Sequence, residues 1–453
     1  MSADRVGPAR RAAFEVLRRT FEHGAWADRA LPAAARRHAL EGRDRALAQR
    51  LAYGAIQRRG TLDHLIASLA ARPASEIDPP LLAALRLGLY ELLFASATPD
   101  HAAVDQAVEL AKGAGGRSGA GLVNAVLRRA AREHEALLAG LSDATAAEAA
   151  IAFSHPEWLA EMWWEELEAE GARSLMAADN EPAETALRVN ELRAPAEAVL
   201  GELARGGGAV ERPARPPAPR ESLVVRGPIG ARLAREIDAG ALVPQSRASA
   251  FVVELLDPAP GERVLDLCAG PGIKTTQLAA RMRDEGEIVA VEKHPRRAAE
   301  LRELCERLGA GCVRVFESDA ARDDAGGGYD RVLVDPPCSD LGTLASRPDA
   351  RWRKSPGQVA ELARLQGKIL ERGAAALRDG GTLVYSTCTI SRRENEDRIA
   401  SLLDRPGLEV APDDLGAAHP ELASAHDARL LQLRPDRDGT DGFFIARLRH
   451  EAA

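Results

Sequence analysis

The residues able to do chemistry recur at intervals in the C-terminal half of the chain, each just past a short apolar run. Val264-Leu-Asp-Leu267 breaks into Cys268-Ala269-Gly270-Pro271-Gly272-Ile273-Lys274. Ile288-Val-Ala-Val291 ends in Glu292, and Val313-Arg-Val-Phe316 ends near Asp319. Arg331-Val-Leu-Val334 runs into Asp335-Pro-Pro-Cys338-Ser, and Thr382-Leu-Val-Tyr385 into Ser386-Thr-Cys388-Thr. Glycines at a turn let a ligand approach the backbone closely, and an acidic residue after the next strand is placed to hold a ribose hydroxyl pair. Gly270-x-Gly272 lacks the third glycine of the dinucleotide fingerprint, which argues against NAD.

Short continuous apolar runs of this kind read as buried parallel strands. Helical patterns separate them, over Arg296 to Leu308 and Gln358 to Leu377. Alternating strands and helices predict a parallel sheet covered on both faces, with ligands at the carboxyl ends of its strands. Every polar residue named above falls at such an end. They form one predicted site.

The runs Leu-Asp-Leu-Cys-Ala-Gly-Pro-Gly-x-Lys-Thr, Asp-Pro-Pro-Cys-Ser and Tyr-Ser-Thr-Cys-Thr, with Glu394-Asn-Glu396 after them, resemble the S-adenosylmethionine-dependent RNA cytosine-5 methyltransferases. The resemblance extends from about Gln245 to Asp441-Gly-Phe-Phe-Ile-Ala446. Taken whole, the chain is similar to the Sun-type 16S ribosomal RNA methyltransferases, whose N-terminal part is similar to the antitermination factor NusB. This implies a multidomain protein: an all-α NusB-like bundle over 1–140, a small α+β subdomain over 141–243 and an α/β Rossmann-like methyltransferase domain over 244–453.

Carbon 5 of cytosine attacks a sulfonium methyl poorly until a thiolate adds at carbon 6, which is covalent catalysis. A base must then remove the C5 proton before the thiolate leaves. The resemblance assigns attack to Cys388 and product release to Cys338. In DNA cytosine-5 methyltransferases the Pro-Cys cysteine attacks instead, so Thr387-Cys388 favours RNA. Asp335 is expected at the amidine edge of the cytosine. Lys274 is expected to contact the base or to ease ionisation of the thiol. S-adenosylmethionine is the expected cofactor, on the backbone from Cys268 through Ala269, Gly270, Pro271, Gly272 and Ile273 to Lys274. Glu292 would take its ribose, Asp319 its adenine, and Asp335 lies at the same site. Asp266 would meet the methionine amino group or organise the turn. Cys305 and Cys312 read as small buried hydrophobes.

Three residues depart from the family pattern: Ile273 and Asp340 stand where Gly is usual, and Ser246 where Asp is usual. Asp340 adds a negative charge near Cys338, which should make that thiol harder to ionise.

The bulk numbers fit these expectations. A length of 453 residues suggests two or three domains. Hydrophobic residues at 45% and charged ones at 28% indicate a globular protein. No apolar run reaches the roughly 20 residues of a membrane span. Met1-Ser-Ala-Asp-Arg5 lacks a signal peptide's apolar core. Five cysteines without a Cys-x-x-Cys pair suggest a reduced, cytoplasmic protein with no metal. A net charge of −8 argues mildly against nucleic acid, although local patches decide phosphate contact.

Residues 8 to about 135 read as helical, with Phe14, Leu17 and Phe21 on one face and Leu82, Leu85, Leu89 and Leu92 on another. Asp44 and Asp100 are expected caps. Arg10, Arg11, Arg18, Arg19, Arg58, Arg59, Arg128 and Arg129 are candidate RNA contacts, though such pairs are more often a solvated face. In the middle segment, Ala186-Leu-Arg-Val189 and Leu223-Val-Val225 read as strands, with Gly206-Gly-Gly208 and Pro213 to Pro219 as loop. Arg188 is a candidate for facing RNA. Trp158, Trp163 and Trp164 read as core, and His101 and His155 as packing or capping residues, since neither has a second ligand at metal spacing.

Arg347-Pro-Asp-Ala-Arg-Trp-Arg-Lys354 interleaves basic residues with Trp352, the composition of a single-stranded RNA path. The expected partner is an unpaired region of 16S ribosomal RNA, met by a monomer. The alternatives are the same reaction on transfer RNA and a non-catalytic RNA-binding or antitermination factor. The NusB-like part favours ribosomal RNA over transfer RNA. Intact Lys274, Asp335, Cys338 and Cys388 argue against a vestigial domain. A small-molecule methyltransferase would leave the second cysteine and the helical part unexplained.

Overall fold

The computed structural model describes residues 6–95, 98–205, 210–227 and 229–451; the expected loop at Gly206-Gly-Gly208 lies outside them. The chain divides into two compact units, one formed by residues up to Pro182 with Leu344–Arg353, the other by Ala183–Thr343 with the chain from Lys354 onward. No helix among the described residues is long and apolar enough to cross a membrane.

The first unit is a helical bundle: α1 (Pro8–Glu22), α2 (Ala27–Arg37), α3 (Gly42–Gln57), α4 (Arg59–Ala70), α5 (Pro79–Phe94), α6 (Asp100–Ala139), α7 (Ala146–Ala152) and α8 (Glu157–Ala178). Leu82, Leu85 and Leu89 lie on α5 as expected, but that helix is buried on every side from Leu81 to Glu91 and so forms the bundle's centre. Its two charged residues are paired, Arg86 with Asp63 at 2.7 Å and Glu91 with Arg10 at 2.6 Å. The expected caps at Asp44 and Asp100 do not form. Each lies one to three residues inside its helix, where a carboxylate still opposes the helix dipole without bonding the backbone as a cap.

The second unit opens with a small antiparallel sheet of β1 (Thr185–Val189), β2 (Val210–Glu211), β3 (Ser222–Val225) and β4 (Leu242–Pro244), in the order β2-β3-β1-β4. Helices α9 (Ala196–Arg205) and α10 (Ala231–Asp238) share its core. The chain then enters α11 (Arg247–Leu256), capped by the side chain of Ser246 on the amide of Ser249. Serine caps as well as aspartate does, so this departure from the family pattern keeps the local structure.

The large sheet follows, with β5 (Arg263–Asp266), β6 (Glu287–Glu292), β7 (Val313–Glu317), β8 (Tyr329–Val334), β9 (Leu377–Thr387), β10 (Val410–Pro412), β11 (Leu431–Gln432) and β12 (Phe444–His450). Its order is β10-β12-β9-β8-β5-β6-β7, with β11 beside β12. Strands β5 to β9 are parallel, as expected; β12 runs antiparallel to β9, and β10 and β11 each pair antiparallel with β12, which makes the sheet mixed. Alternate residues of each strand serve opposite cores. Val264, Ile288, Leu333 and Val384 pack with α11, α12 (Ile273–Arg281) and α13 (Pro295–Leu308). Leu265, Val289, Val332 and Leu383 pack with α14 (Pro356–Ala375) and α15 (Glu396–Leu403). Chain order reverses between β5 and β8, and α12 leaves from the same place. Such a switch point is where open α/β sheets bind ligands.

Candidate active site

The turn from β5 into α12 depends on its two glycines. At Gly270 a Cβ would lie 2.1 Å from Glu292 Oε2, and at Gly272, φ +107°, one would lie 2.4 Å from Leu301 Cδ1. Any side chain there would displace the carboxylate of Glu292 or the core under α13. The backbone is therefore bare above a buried acid, which suits a ligand that offers hydroxyls to that acid. Glu292 accepts from the His294 amide at 2.8 Å and lies 3.7 Å from Arg297 Nε, while Arg297 also donates to the Gly270 carbonyl. At the base of the turn, buried Asp266 accepts from the Thr275 hydroxyl at 2.7 Å, and burial pushes its carboxyl up to about 7. Burial, reinforced by Asp266, Asp335 and Glu292, holds the Cys268 thiol well up, which fits a backbone role for that residue. Asp319 lies beyond β7, 2.9 Å from Lys293 Nζ, and that bond holds its carboxyl below the usual range.

The second half of the site lies at the ends of β8 and β9, which are neighbours. Asp335 accepts from Lys274 Nζ at 2.6 Å on one oxygen and from the Ser386 hydroxyl at 2.9 Å on the other. Burial alone would lower the Lys274 ammonium, but Asp335 outweighs it and the net shift is upward. The sulfurs of Cys338 and Cys388 lie 3.1 Å apart. Asp340 Oδ1 stands 3.3 Å from the Cys388 sulfur and 4.0 Å from that of Cys338. The carboxylate expected beside Cys338 is thus nearer to Cys388. The hydrogen bond with Cys338, then burial, then the negative charges around it push the Cys388 thiol well up. Lys274 does not reverse this.

What fixes the sulfurs is a pair of residues whose role the motif alone did not reveal. Glu394, wholly buried, accepts from the Ser339 amide at 3.0 Å, from the Ser339 hydroxyl and from Gln366 Nε2 at 2.8 Å. Asn395, also wholly buried, accepts from the Thr387 hydroxyl at 2.6 Å and donates to the Thr389 carbonyl at 3.1 Å and to Gln432 Oε1 at 2.9 Å. One residue holds the neighbour of Cys338, the next holds both neighbours of Cys388. The sequence signal was the motif itself; its partners Gln366 and Gln432 lie too far off in sequence to suggest contact.

The candidate RNA contacts come out differently. Arg188 is wholly buried, donating to Gln245 Oε1 at 2.6 Å and to the Thr276 hydroxyl at 3.1 Å. It braces the first turn of α12 and does not face RNA. Arg351 and Trp352 belong to the helical unit. Arg351 is buried, donating to the carbonyls of Ser154 at 3.1 Å and Asp179 at 2.9 Å, and the Trp352 indole donates to the Ile56 carbonyl at 2.8 Å. An open RNA path over these two residues is therefore not present. A guanidinium surrounded by carbonyls can be buried, and composition alone does not reveal that.

The paired arginines of the bundle have partners within it. Arg10 meets Glu91, Arg11 the Val6 carbonyl, Arg18 Glu22, Arg19 Glu15 and Arg129 Glu133. Arg128 donates to Asn124, while Arg58 lies over Phe94 and Arg59 over Phe21. Trp163 is core, as expected. His155 packs against Trp163 and bonds Phe153 and Asp179, and burial keeps its ring well below the usual range, hence neutral. Burial holds Cys305 and Cys312 up at about 12, consistent with inert thiols.

Comparison with known proteins gives three family matches along the chain. A NusB family model matches residues 7–132, a ferredoxin-like domain model of RsmF/B-like methyltransferases 155–225, and a 16S rRNA methyltransferase RsmB/F model 253–449. Ribosomal RNA small subunit methyltransferase B of Thermus thermophilus is 36% identical over 98% of both chains. Its namesake in Pseudomonas syringae is 34% identical over 90% of both. The crystal structure of PH0851 superposes with a TM-score of 0.81 at 28% identity, covering 98% of this chain and 99% of that one.

Proposed function

The chain belongs to the RsmB/F family of 16S ribosomal RNA methyltransferases, and from that membership we propose that it methylates carbon 5 of a cytosine in 16S ribosomal RNA through a covalent cysteine adduct. The observation that carries the reading is the pair of sulfurs 3.1 Å apart beside the Lys274–Asp335 ion pair. Inert structural cysteines have no need of a carboxylate and a second thiol within contact.

S-adenosylmethionine, when bound, supplies the methyl group. The bare backbone from Cys268 to Lys274 and the carboxylate of Glu292 beneath Gly270 suit it, with Asp319 toward the adenine and Asp266 toward the amino group. Cys388 adds to carbon 6 of the cytosine. Asp335, held by Lys274 and Ser386, faces the amidine edge and favours addition by steadying a proton on the ring nitrogen. Cys338 assists release once the C5 proton has gone. Residues 1–140 serve as a module for docking on RNA, 141–243 as a subdomain between, and 244–453 as the catalytic domain of a monomer working in the cytoplasm.

The test uses single cysteine variants with a small-subunit RNA transcript and cofactor. Cys388→Ser should transfer no methyl and form no adduct. Cys338→Ala should accumulate a protein–RNA complex, seen as a slow band on a denaturing gel. The reverse pattern would exchange the two roles, and full activity in both variants would remove thiol addition from the mechanism. Bisulfite sequencing of ribosomal and transfer RNA from a strain lacking the protein identifies the target.

A further inference from the structure

A thiol that is hard to ionise must still lose its proton to attack, and the structure offers a specific acceptor. Asp340 Oδ1 lies 3.3 Å from the Cys388 sulfur, within reach of its proton. The other carboxylate oxygen lies 3.4 Å from Lys354 Nζ, which also donates to the Cys338 carbonyl. The loop is tied to its target. The Gly342 amide donates to the Cys388 carbonyl at 3.0 Å, and the Thr343 hydroxyl and amide close back on the Asp340 carbonyl at 2.9 and 3.1 Å. Asp340 itself has φ +60°, a conformation that glycine enters freely and aspartate only at some cost. Asp335, the other carboxylate nearby, has both oxygens engaged, by Lys274 and by Ser386.

We propose that Asp340 is a catalytic residue, the base that takes the Cys388 proton as sulfur adds to the cytosine and returns it as sulfur leaves. The proposal rests on the thiol-addition reading above. In the forward step the S–H pair stays on sulfur and the proton passes to Asp340. A sulfur pair forms the bond to carbon 6, and the C5=C6 pair moves into the ring. One negative charge thus passes from the carboxylate to the ring. In the reverse step the bond to carbon 6 breaks with its pair on sulfur, and neutral Asp340 gives that sulfur its proton. The charged and titratable groups around this exchange are Cys338, Asp335, Lys274 and Lys354. Hydrogen bonding to Cys338, burial and the surrounding negative charge hold the Cys388 thiol up, so little thiolate stands ready before the proton moves.

The test rests on two rates that a general base moves in opposite directions. In full-length Asp340→Asn the carboxylate's repulsion is gone, so iodoacetamide should alkylate Cys388 faster at neutral pH without RNA, read by peptide mass spectrometry. Adduct formation with RNA carrying 5-azacytosine should be slower by roughly 100-fold, the lower end for loss of a general base. Asp340→Gly, which suits the backbone at φ +60°, should behave alike and guards against a folding defect. Adduct formation unchanged or faster in both variants overturns the proposal. Both rates falling together overturns it too and makes Asp340 a structural residue, as does a slow adduct in Asp335→Asn alone. A wild-type protein that forms no adduct overturns the thiol-addition reading itself, and the proposal with it.

Discussion

Asn395→Ala should separate the positioning of Cys388 from everything else in the site. The side chain makes three buried bonds, one to the Thr387 hydroxyl, one to the Thr389 carbonyl and one to Gln432 Oε1. Its removal leaves the Thr387 hydroxyl and the Gln432 oxygen without the partner they have now, at about 1–3 kcal/mol each. The catalytic unit should therefore lose about 2–6 kcal/mol, toward the lower value if water enters the space. Thr387 and Thr389 flank Cys388, so the segment carrying the sulfur loses a bond on each side, and a displacement on the order of 1 Å costs about 100-fold in rate. None of the three bonds reaches the glycine turn, so cofactor affinity should be unchanged. Urea unfolding, single-turnover methyl transfer and calorimetry with S-adenosylmethionine give the three readings. Asn395→Asp keeps the acceptor for Thr387 and loses both donors, so its rate should fall between. An alanine variant with wild-type stability and wild-type transfer would refute the positioning argument.

Glu292→Ala should weaken cofactor binding by roughly 1.5–3 kcal/mol, the worth of a hydrogen bond to a charged group; calorimetry showing no change moves Glu292 out of the site. Asp266 gives a pH signature, because its folded value of about 7 lies above its ordinary one. The stability it contributes is full below about pH 4 and is lost as pH rises through about 7, so Asp266→Asn should flatten the melting curve over that window. If Asp266 meets the cofactor's amino group, affinity should rise over the same window in the wild type and not in the variant. Arg351→Ala should strip donors from the Ser154 and Asp179 carbonyls and speed hydrogen exchange in α3 and α8, whereas unchanged protection would make Arg351 dispensable to the bundle.

The parallel strands were legible as short apolar runs ending in a polar residue, because burial on both faces leaves the inner ones no other pattern. At the sheet's edge, β7 is partly exposed and was legible from its valines alone. The site was legible for the same reason, since strand ends cluster wherever the sheet places them. The antiparallel strands were not read in advance. β10 and β11 are three and two residues long, and β12 carries Arg447 and Arg449, which mask its apolar alternation. Arg188, Arg351 and Trp352 were misread for one physical reason. Charge and aromaticity in sequence suggest exposure, while buried carbonyls and amides from distant segments can satisfy both. Glu394 and Asn395 show the converse. Their motif was visible, but bonds to Ser339 and Gln432, 55 and 37 residues away, exist only once the sheet is built.

On the proposed thiol-addition mechanism, the thiol pair sets a constraint on the order of events. Cys388 is held in its protonated form by Cys338 first of all, so whatever Cys338 does is felt directly at the attacking sulfur. Two sulfurs 3.1 Å apart in a buried site resist carrying charge together. Once sulfur is bonded to the ring, the charge on Cys388 is gone and the restraint on Cys338 goes with it. Attack and release are then consecutive by electrostatics, and the second thiol becomes available only when the first has been consumed. A pair of residues that bonded the sulfurs' neighbours less firmly would lose this coupling, because it falls off steeply with distance. The rigidity supplied by Glu394 and Asn395 and the separate duties proposed for the two cysteines are therefore one feature of the site.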